Sequence, residues 1–443
     1  MKKRSVIIMF IILFFIFLFW NIAVIDLYAD EVWNYGFAYS IYNGLIPYKD
    51  FNMIITPLFP FLLAFFMLIF NSNIIVVHIV NSVILVIMCL ILYKLIGNKM
   101  WLPLLLLFLP LPNLFPSYNL FVIFLYILVV YLENNKANDY LIGFIIGLAI
   151  LTKQSVGFCL LLPSFYYIKN YKKILKRIVG MMLPIIFFFV YLLVNSNLID
   201  FLDLCVFGLF DFTKNQSNFN IVYILSVIYI GICIYFIRKN RKDINNYYAL
   251  AAFGMTIPLI DLYHFQMSLF CLLTILLINH DFKLNLNYKL LFFGIIIGVA
   301  VIQLKERVVE GIIYPNDIPH FKYKFIGKGM IKYTETFNNY LDKHNDREIV
   351  FLTNNAYYFR IIRDEKISKI DLINYGNHGY DGNNKLMKLI KDKKDAIFIV
   401  DLIELNQRRQ TNKNIINYVI KNAKKVDRLD KYDIYVFNNK YEK

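Results

Sequence analysis

Twelve apolar runs crowd into the first 304 residues of a 443-residue chain, more than a water-soluble core could bury. They fall at 6–25, 56–70, 74–96, 100–112, 117–132, 140–152, 155–168, 178–194, 221–237, 246–262, 266–279 and 288–304. A straight helix needs about 20 apolar residues to cross the ~30 Å hydrocarbon layer of a bilayer; the 6–25 and 74–96 runs reach that length and several others are shorter than a straight span requires. Composition agrees, with 59% of residues hydrophobic and only 18% charged, where soluble domains carry about 25% charged residues. An ordinary soluble enzyme is excluded, and lipid must solvate much of the surface. A net charge of +16 would invite a nucleic-acid partner in a polar chain. In this one the charge is placed by membrane topology instead, and no nucleic acid is expected.

The start, Met1-Lys2-Lys3-Arg4 before an apolar run with no small-x-small cleavage site, reads as an uncleaved first helix with its amino terminus in the cytoplasm. Lys and Arg in short loops orient the remainder. If the 56–70 run lies in the outer interface and every other run crosses, seventeen cations fall on the cytoplasmic side and only Lys49, Lys153 and Lys214 fall outside. Letting 56–70 cross reverses most of that bias. The expected architecture is therefore an α-helical multi-pass membrane domain over 1–304, with about 11 transmembrane helices plus a juxtamembrane helix. A small extracytoplasmic α/β domain follows over 305–443. Pro103, Pro110, Pro112 and Pro116 predict broken helices, and Gly143 with Gly147 predicts a close helix contact. The tail alternates short apolar strands at 348–353, 370–374, 396–401 and 432–437 with a segment at 355–362 and amphipathic helices near 384–391 and 411–422.

On this topology the cytoplasmic segments carry +13, the tail +8 and the outer loops −5. The outer face of the membrane domain is thus acidic, with Asp26, Asp30, Glu31, Asp50, Asp200, Asp203, Asp211 and Asp261. Asp30 and Glu31 follow the first run so closely that a carboxylate reaches membrane depth, which is costly unless it faces a cavity or a partner. A catalytic carboxylate and a helix cap both satisfy that condition. Adjacent helical residues point about 100° apart, so the two should divide their roles, one toward substrate and the other toward backbone or a cation. The five cysteines show no C-x-x-C spacing and predict neither a disulfide framework nor a zinc site. His78, in mid-run, reads as a packed histidine.

Asp30-Glu31, then Asn43-Gly44-Leu45-Ile46-Pro47-Tyr48-Lys49-Asp50-Phe51, then Thr56-Pro57-Leu58 resemble the first outer loop of the GT-C superfamily of polyprenol-phosphate-sugar-dependent glycosyltransferases. That superfamily includes protein mannosyltransferase-like and aminoarabinose transferase-like membrane proteins. Leu151-Thr152-Lys153-Gln154-Ser155-Val156-Gly157 is similar to its lysine-containing hairpin, and in outline the resemblance covers 1–304. The resemblance implies a plasma-membrane enzyme that moves a hexosyl or pentosyl group from a polyprenyl-phosphate donor to a cell-envelope acceptor, a glycan, lipid or protein, at the outer face. It implies Asp30 as the catalytic base, with Glu31 and Asp50 in support. Attack opposite the leaving phosphate inverts the anomeric centre.

The departing phosphate needs positive charge or oriented donors. Lys153, one of three outer cations, and Gln154 beside it are the first candidates. A lysine snorkelling to lipid headgroups is the plain alternative. Asp261 and His264, three apart, can share one side of a helical turn and contact phosphate or sugar, or simply cap a broken helix. No metal-ligand spacing is present, and a divalent cation held by carboxylates beside phosphate stays open. Asn374-Tyr375-Gly376-Asn377-His378-Gly379-Tyr380-Asp381-Gly382 combines aromatic and amide groups that suit carbohydrate contact, or a plain strand-to-helix loop. A transporter or flippase, or a polysaccharide polymerase or ligase, remains the competing class. The first should place ionisable groups near mid-bilayer in two related halves, and the second should favour basic outer loops.

Overall fold

The computed structural model describes residues 3–24, 29–96, 115–216, 221–279, 312–313, 316–402 and 411–437. The runs at 100–112 and 288–304, and the expected domain boundary after 304, lie outside the described residues. The chain opens with α1 (Lys3–Phe19), which passes into a π-helical stretch (Trp20–Val24), and continues with α2 (Ala29–Tyr42), α3 (Leu58–Ile69) and α4 (Ile74–Leu95). After these come α5 (Tyr118–Asn134), α6 (Asp139–Ile150), α7 (Gln154–Cys159), a 3-10 stretch (Leu162–Tyr167) and α8 (Tyr171–Val194). Short α9 (Leu198–Leu202) leads through a π turn (Asp203–Phe207) to α10 (Gly208–Gln216), followed by α11 (Ile221–Lys239), α12 (Asn245–Ala251), a 3-10 stretch (Ala252–Thr256) and α13 (Leu262–Asn279).

Four described helices, α4, α8, α11 and α13, are long and apolar enough to cross a membrane. At about 1.5 Å per residue α4 is roughly 33 Å long. Its start is set by Asn73, whose side chain accepts from the Ile75 amide at 3.1 Å. The outer flank of α8 leaves Ile186, Phe187, Val190 and Val194 exposed, an apolar face suited to lipid. Other runs expected to cross are broken. The 140–152 and 155–168 runs form α6, only 12 residues long, the six-residue α7 and the 3-10 stretch, and the 246–262 run forms the seven-residue α12 with irregular backbone after it. Broken helices expose backbone carbonyls that lipid cannot satisfy. Here side chains do so, with Lys153 donating to the Met255 carbonyl at 2.9 Å and Ser155 to the Gly254 and Ile257 carbonyls at 3.0 and 2.7 Å.

The glycine pair works as a contact surface between α6 and α8. A Cβ on Gly143 would lie 2.0 Å from the Arg177 carbonyl oxygen, and one on Gly147 would lie 2.5 Å from that of Met181. Arg177, fully enclosed by this approach, is neutralised by Glu133 at 2.7 Å and Asp139 at 3.0 Å.

The C-terminal region holds a two-stranded antiparallel pair, β1 (Ile312–Ile313) and β2 (Ile326–Gly327), and then α14 (Lys328–Lys343), β3 (Ile349–Leu352), α15 (Ala356–Ile362), α16 (Gly382–Asp392), β4 (Ile397–Asp401), α17 (Lys413–Asn422), β5 (Lys424–Leu429) and β6 (Tyr432–Val436). The main sheet has the order β3-β4-β6-β5, with β3 and β4 parallel in the register Val350 to Phe398 and the other pairs antiparallel. Strand alternation divides its core. Val350, Leu352, Phe398 and Val400 pack with Leu386, Ile390, Ile415 and Val419 of α16 and α17, whereas Phe351, Ile397 and Ile399 join Phe337 and Phe359 in a core continuous with the membrane helices. One expectation differs. The 370–374 segment is a turn and bend that ends in one bridge, Asn374 to Thr411, and not a strand. Strand β5 was not legible because it is an exposed edge rich in Lys, Asp and Arg, without an apolar alternation.

Candidate functional site

A small cavity of about 100 Å³ opens where the start of α2 meets the C-terminal α/β region. Asp30, in the first turn of α2, lines its wall. The Asp30 backbone is tied down by Asn34, whose Nδ2 donates to the Asp30 carbonyl at 2.7 Å. The Asn34 Oδ1 in turn accepts from the Tyr118 amide at 3.2 Å, which fastens α2 to the beginning of α5. Tyr118 and Asn119 thereby reach the same cavity as Asp30. Neither stood out in the sequence, because an aromatic and an amide at the head of an apolar run look like ordinary capping residues.

Glu31 turns away from this cavity into the protein. Its Oε1 lies 2.7 Å from His78 Nε2 on α4, and Lys324 Nζ lies 3.5 Å from both of its carboxylate oxygens. All three side chains are fully buried. Lys324 also donates to the Asn21 carbonyl at 2.5 Å in the π-helical stretch, and Asn81 of α4 donates to Asn21 Oδ1 at 3.0 Å. The adjacent carboxylates therefore occupy different environments, Asp30 on a cavity wall and Glu31 in a dry charge cluster tying α2, α4 and the 316–325 segment together. Lys324 was missed in the sequence, being one of many lysines in a charged tail. His78 carried a signal, an ionisable group inside an apolar run.

Lys153 is 5% exposed and reaches toward the cavity from behind, donating to Asn119 Oδ1 at 3.1 Å as well as to the Met255 carbonyl. Asn119 lines the cavity, so the ammonium stands one side chain removed from it. His264, at the start of α13, lines the cavity, and its Nδ1 and backbone N–H both lie 2.8 Å from Asp261 Oδ1. Asp261 is thus at once the cap of α13 and the orienter of the imidazole. Gln154 donates to the Cys205 carbonyl at 3.4 Å and is not among the cavity-lining residues. Asp50 is also absent from the lining. It is exposed and its Oδ2 accepts from the Ile46 amide at 2.7 Å, closing the turn in which Tyr48 adopts a φ of 70° and its N–H donates to the Phe51 carbonyl at 2.9 Å. Among the described residues no group of three or more His, Cys, Asp or Glu side chains is arranged to hold a metal ion.

The C-terminal α/β region sits directly on α2. Trp33 Nε1 donates to the Asn354 carbonyl at 3.2 Å, Tyr39 donates to Asp364 at 2.8 Å, and the Tyr357 ring lies against Gly36, where a Cβ would come within 2.4 Å of it. Leu372, Asn374, Tyr375 and Asn377 complete the cavity from this side.

This arrangement of broken and long apolar helices with a small C-terminal sheet shares its fold with solved structures of known proteins. Solved structures that share it are those of ArnT from Cupriavidus metallidurans. Bound to undecaprenyl phosphate, ArnT superimposes with a TM-score of 0.59 at 11% identity, covering 99% of both chains. Its apo state gives a TM-score of 0.58 at 11% identity over 98% of both chains. No family model matches the sequence, and no curated protein matches it.

Proposed function

We propose that this protein is an integral-membrane glycosyltransferase. It moves a hexosyl or pentosyl group from a polyprenyl-phosphate donor to a cell-envelope acceptor at the outer face of the plasma membrane. The observation that carries the reading is the small cavity with Asp30 on its wall, in a fold shared with ArnT bound to undecaprenyl phosphate. Asp30 acts as base. An acceptor O–H gives its proton to the carboxylate as its oxygen bonds to the anomeric carbon. The bond from that carbon to the phosphate oxygen breaks on the opposite side, its electron pair leaves on the lipid phosphate, and the anomeric centre inverts. Lys153 supplies positive charge for that phosphate and His264, oriented by Asp261, supplies a ring donor, with Gln154 bracing the lysine hairpin. Glu31 and Asp50 support Asp30 indirectly, one by anchoring α2 to a buried cation and one by closing the following turn. About eleven spans put the amino terminus in the cytoplasm and the C-terminal domain outside, over the site.

The test is to incubate the purified full chain in lipid nanodiscs with a panel of undecaprenyl-phosphate sugars and an envelope extract, and to follow donor consumption. Wild type should consume at least one donor, and Asp30→Asn should lose about 10²-fold or more in rate because the amide takes no proton. Undiminished transfer by that variant removes Asp30 from the role of base. Failure of wild type to consume any donor overturns the transferase reading.

A further inference from the structure

The cavity beside Asp30 has a roof that the membrane helices do not supply. The passage between α15 and α16 forms it, and that passage is pinned to the π turn and α10 below. Asp211 accepts from the Gly376 amide at 3.1 Å, and Asp203 accepts from the Tyr380 amide at 3.0 Å and from Lys385 Nζ at 2.6 Å. Gly376 and Gly379 have φ of +81° and +76°, and a Cβ on the latter would lie 2.1 Å from the Asp203 carboxylate, so only glycine allows this approach. The residues between and before them are therefore held at fixed places over the cavity.

Two amides in this roof are unmatched. Asn377 is 2% exposed and its Nδ2 donates to the Leu372 carbonyl at 2.9 Å, which orients the amide and leaves Oδ1 buried with no hydrogen-bond partner among the described residues. Asn374, 6% exposed, likewise leaves Oδ1 buried and unpaired among the described residues. Both side chains line the cavity. A buried amide oxygen without a donor costs about 1–3 kcal/mol. Two of them in one cavity wall are accounted for when a ligand brings the missing donors. The lining of the same cavity includes Trp33, Tyr118 and Tyr375, aromatic surface of the kind that accompanies sugar rings.

We propose that Asn374 and Asn377 form the sugar-selecting subsite of this protein, their amide oxygens accepting hydrogen bonds from hydroxyl or amino groups of the donor sugar. This rests on the transferase reading above. It assigns the C-terminal domain a part in substrate choice: a wall built of acceptors favours a sugar that presents donors there and disfavours a lipid phosphate that carries none.

Equilibrium binding to the full chain in nanodiscs tests this with three probes: undecaprenyl phosphate, its mannosyl ester and its 4-amino-4-deoxyarabinosyl ester. Wild type should bind at least one sugar ester more tightly than the bare lipid. Asn377→Leu and Asn374→Leu should each weaken that ester about tenfold and leave bare-lipid affinity unchanged, which also certifies that the variants are folded. Asn374→Asp, which keeps acceptor oxygens, should retain more of the preference than Asn374→Leu. Equal weakening of all three probes, a preference undiminished in both Leu variants, or a wild type that binds both esters no better than bare lipid would each overturn the subsite. A wild type that binds none of the probes would overturn the transferase reading itself.

Discussion

The charge cluster beneath Asp30 makes a quantitative prediction. Lys324 and Glu31 are both fully buried and 3.5 Å apart. At an effective dielectric of about 20, unit charges at that distance attract by about 5 kcal/mol. Lys324→Met removes the cation, strips the Asn21 carbonyl of its donor and strands a dry carboxylate, for which breaking buried pairs typically costs about 3–5 kcal/mol. Glu31→Leu should cost a similar amount, because it strands the ammonium and deprives His78 Nε2 of its 2.7 Å partner. The double variant leaves neither charge and should recover much of the loss, giving a coupling of about 2–4 kcal/mol. Denaturant unfolding of the four proteins in mixed micelles, followed by tryptophan fluorescence, measures each term. Costs that add within about 0.5 kcal/mol would refute the reasoning, since they would mean that Glu31 and Lys324 do not compensate one another.

Acidification should loosen the roof of the cavity. Burial pulls the His378 imidazole down to about 4, against the opposing hydrogen bond to the Lys369 carbonyl. Because the unfolded imidazole protonates near ~6.5, the unfolded state takes up the proton first. The neutral histidine's contribution is therefore fully present above about pH 6.5 and is lost as pH falls toward 4, a difference of roughly 3 kcal/mol. Thermal melting from pH 7 to 4.5 should show a steeper fall for wild type than for His378→Gln, and parallel curves would remove His378 from this role. Lys153→Met should raise KM for donor more than for acceptor, and should weaken bare undecaprenyl phosphate as much as its sugar esters. A change confined to acceptor kinetics would move Lys153 away from the phosphate.

Much of the membrane scaffold was legible because its signal is local. The runs at 74–96, 178–194, 221–237 and 266–279 form the body of the four long apolar helices, the last three of which extend past their runs to spanning length. The glycines at 143 and 147 likewise announced a close helix contact, since only their missing Cβ atoms permit it. The breaks at 150–162 and 251–262 were less visible, because a buried, side-chain-capped carbonyl leaves an apolar run looking continuous. In the tail, strands β3, β4 and β6 carried apolar signatures, whereas the 370–374 passage had the same composition without a neighbouring strand to pair with.

The sequence by itself determined that the chain is too apolar for water alone, that short apolar strands follow in the tail, and that an acidic pair comes soon after the first apolar run. Only the tertiary structure decided which acid meets the cavity, because that depends on Lys324, 293 residues from Glu31, arriving to hold the second one. It also decided that Asn374 and Asn377 join Asp30 around a single space. Periodicity and composition report forces acting within a few residues along the chain. A desolvated charge or amide is satisfied by whatever folding brings beside it, and that neighbour leaves no mark on the local sequence.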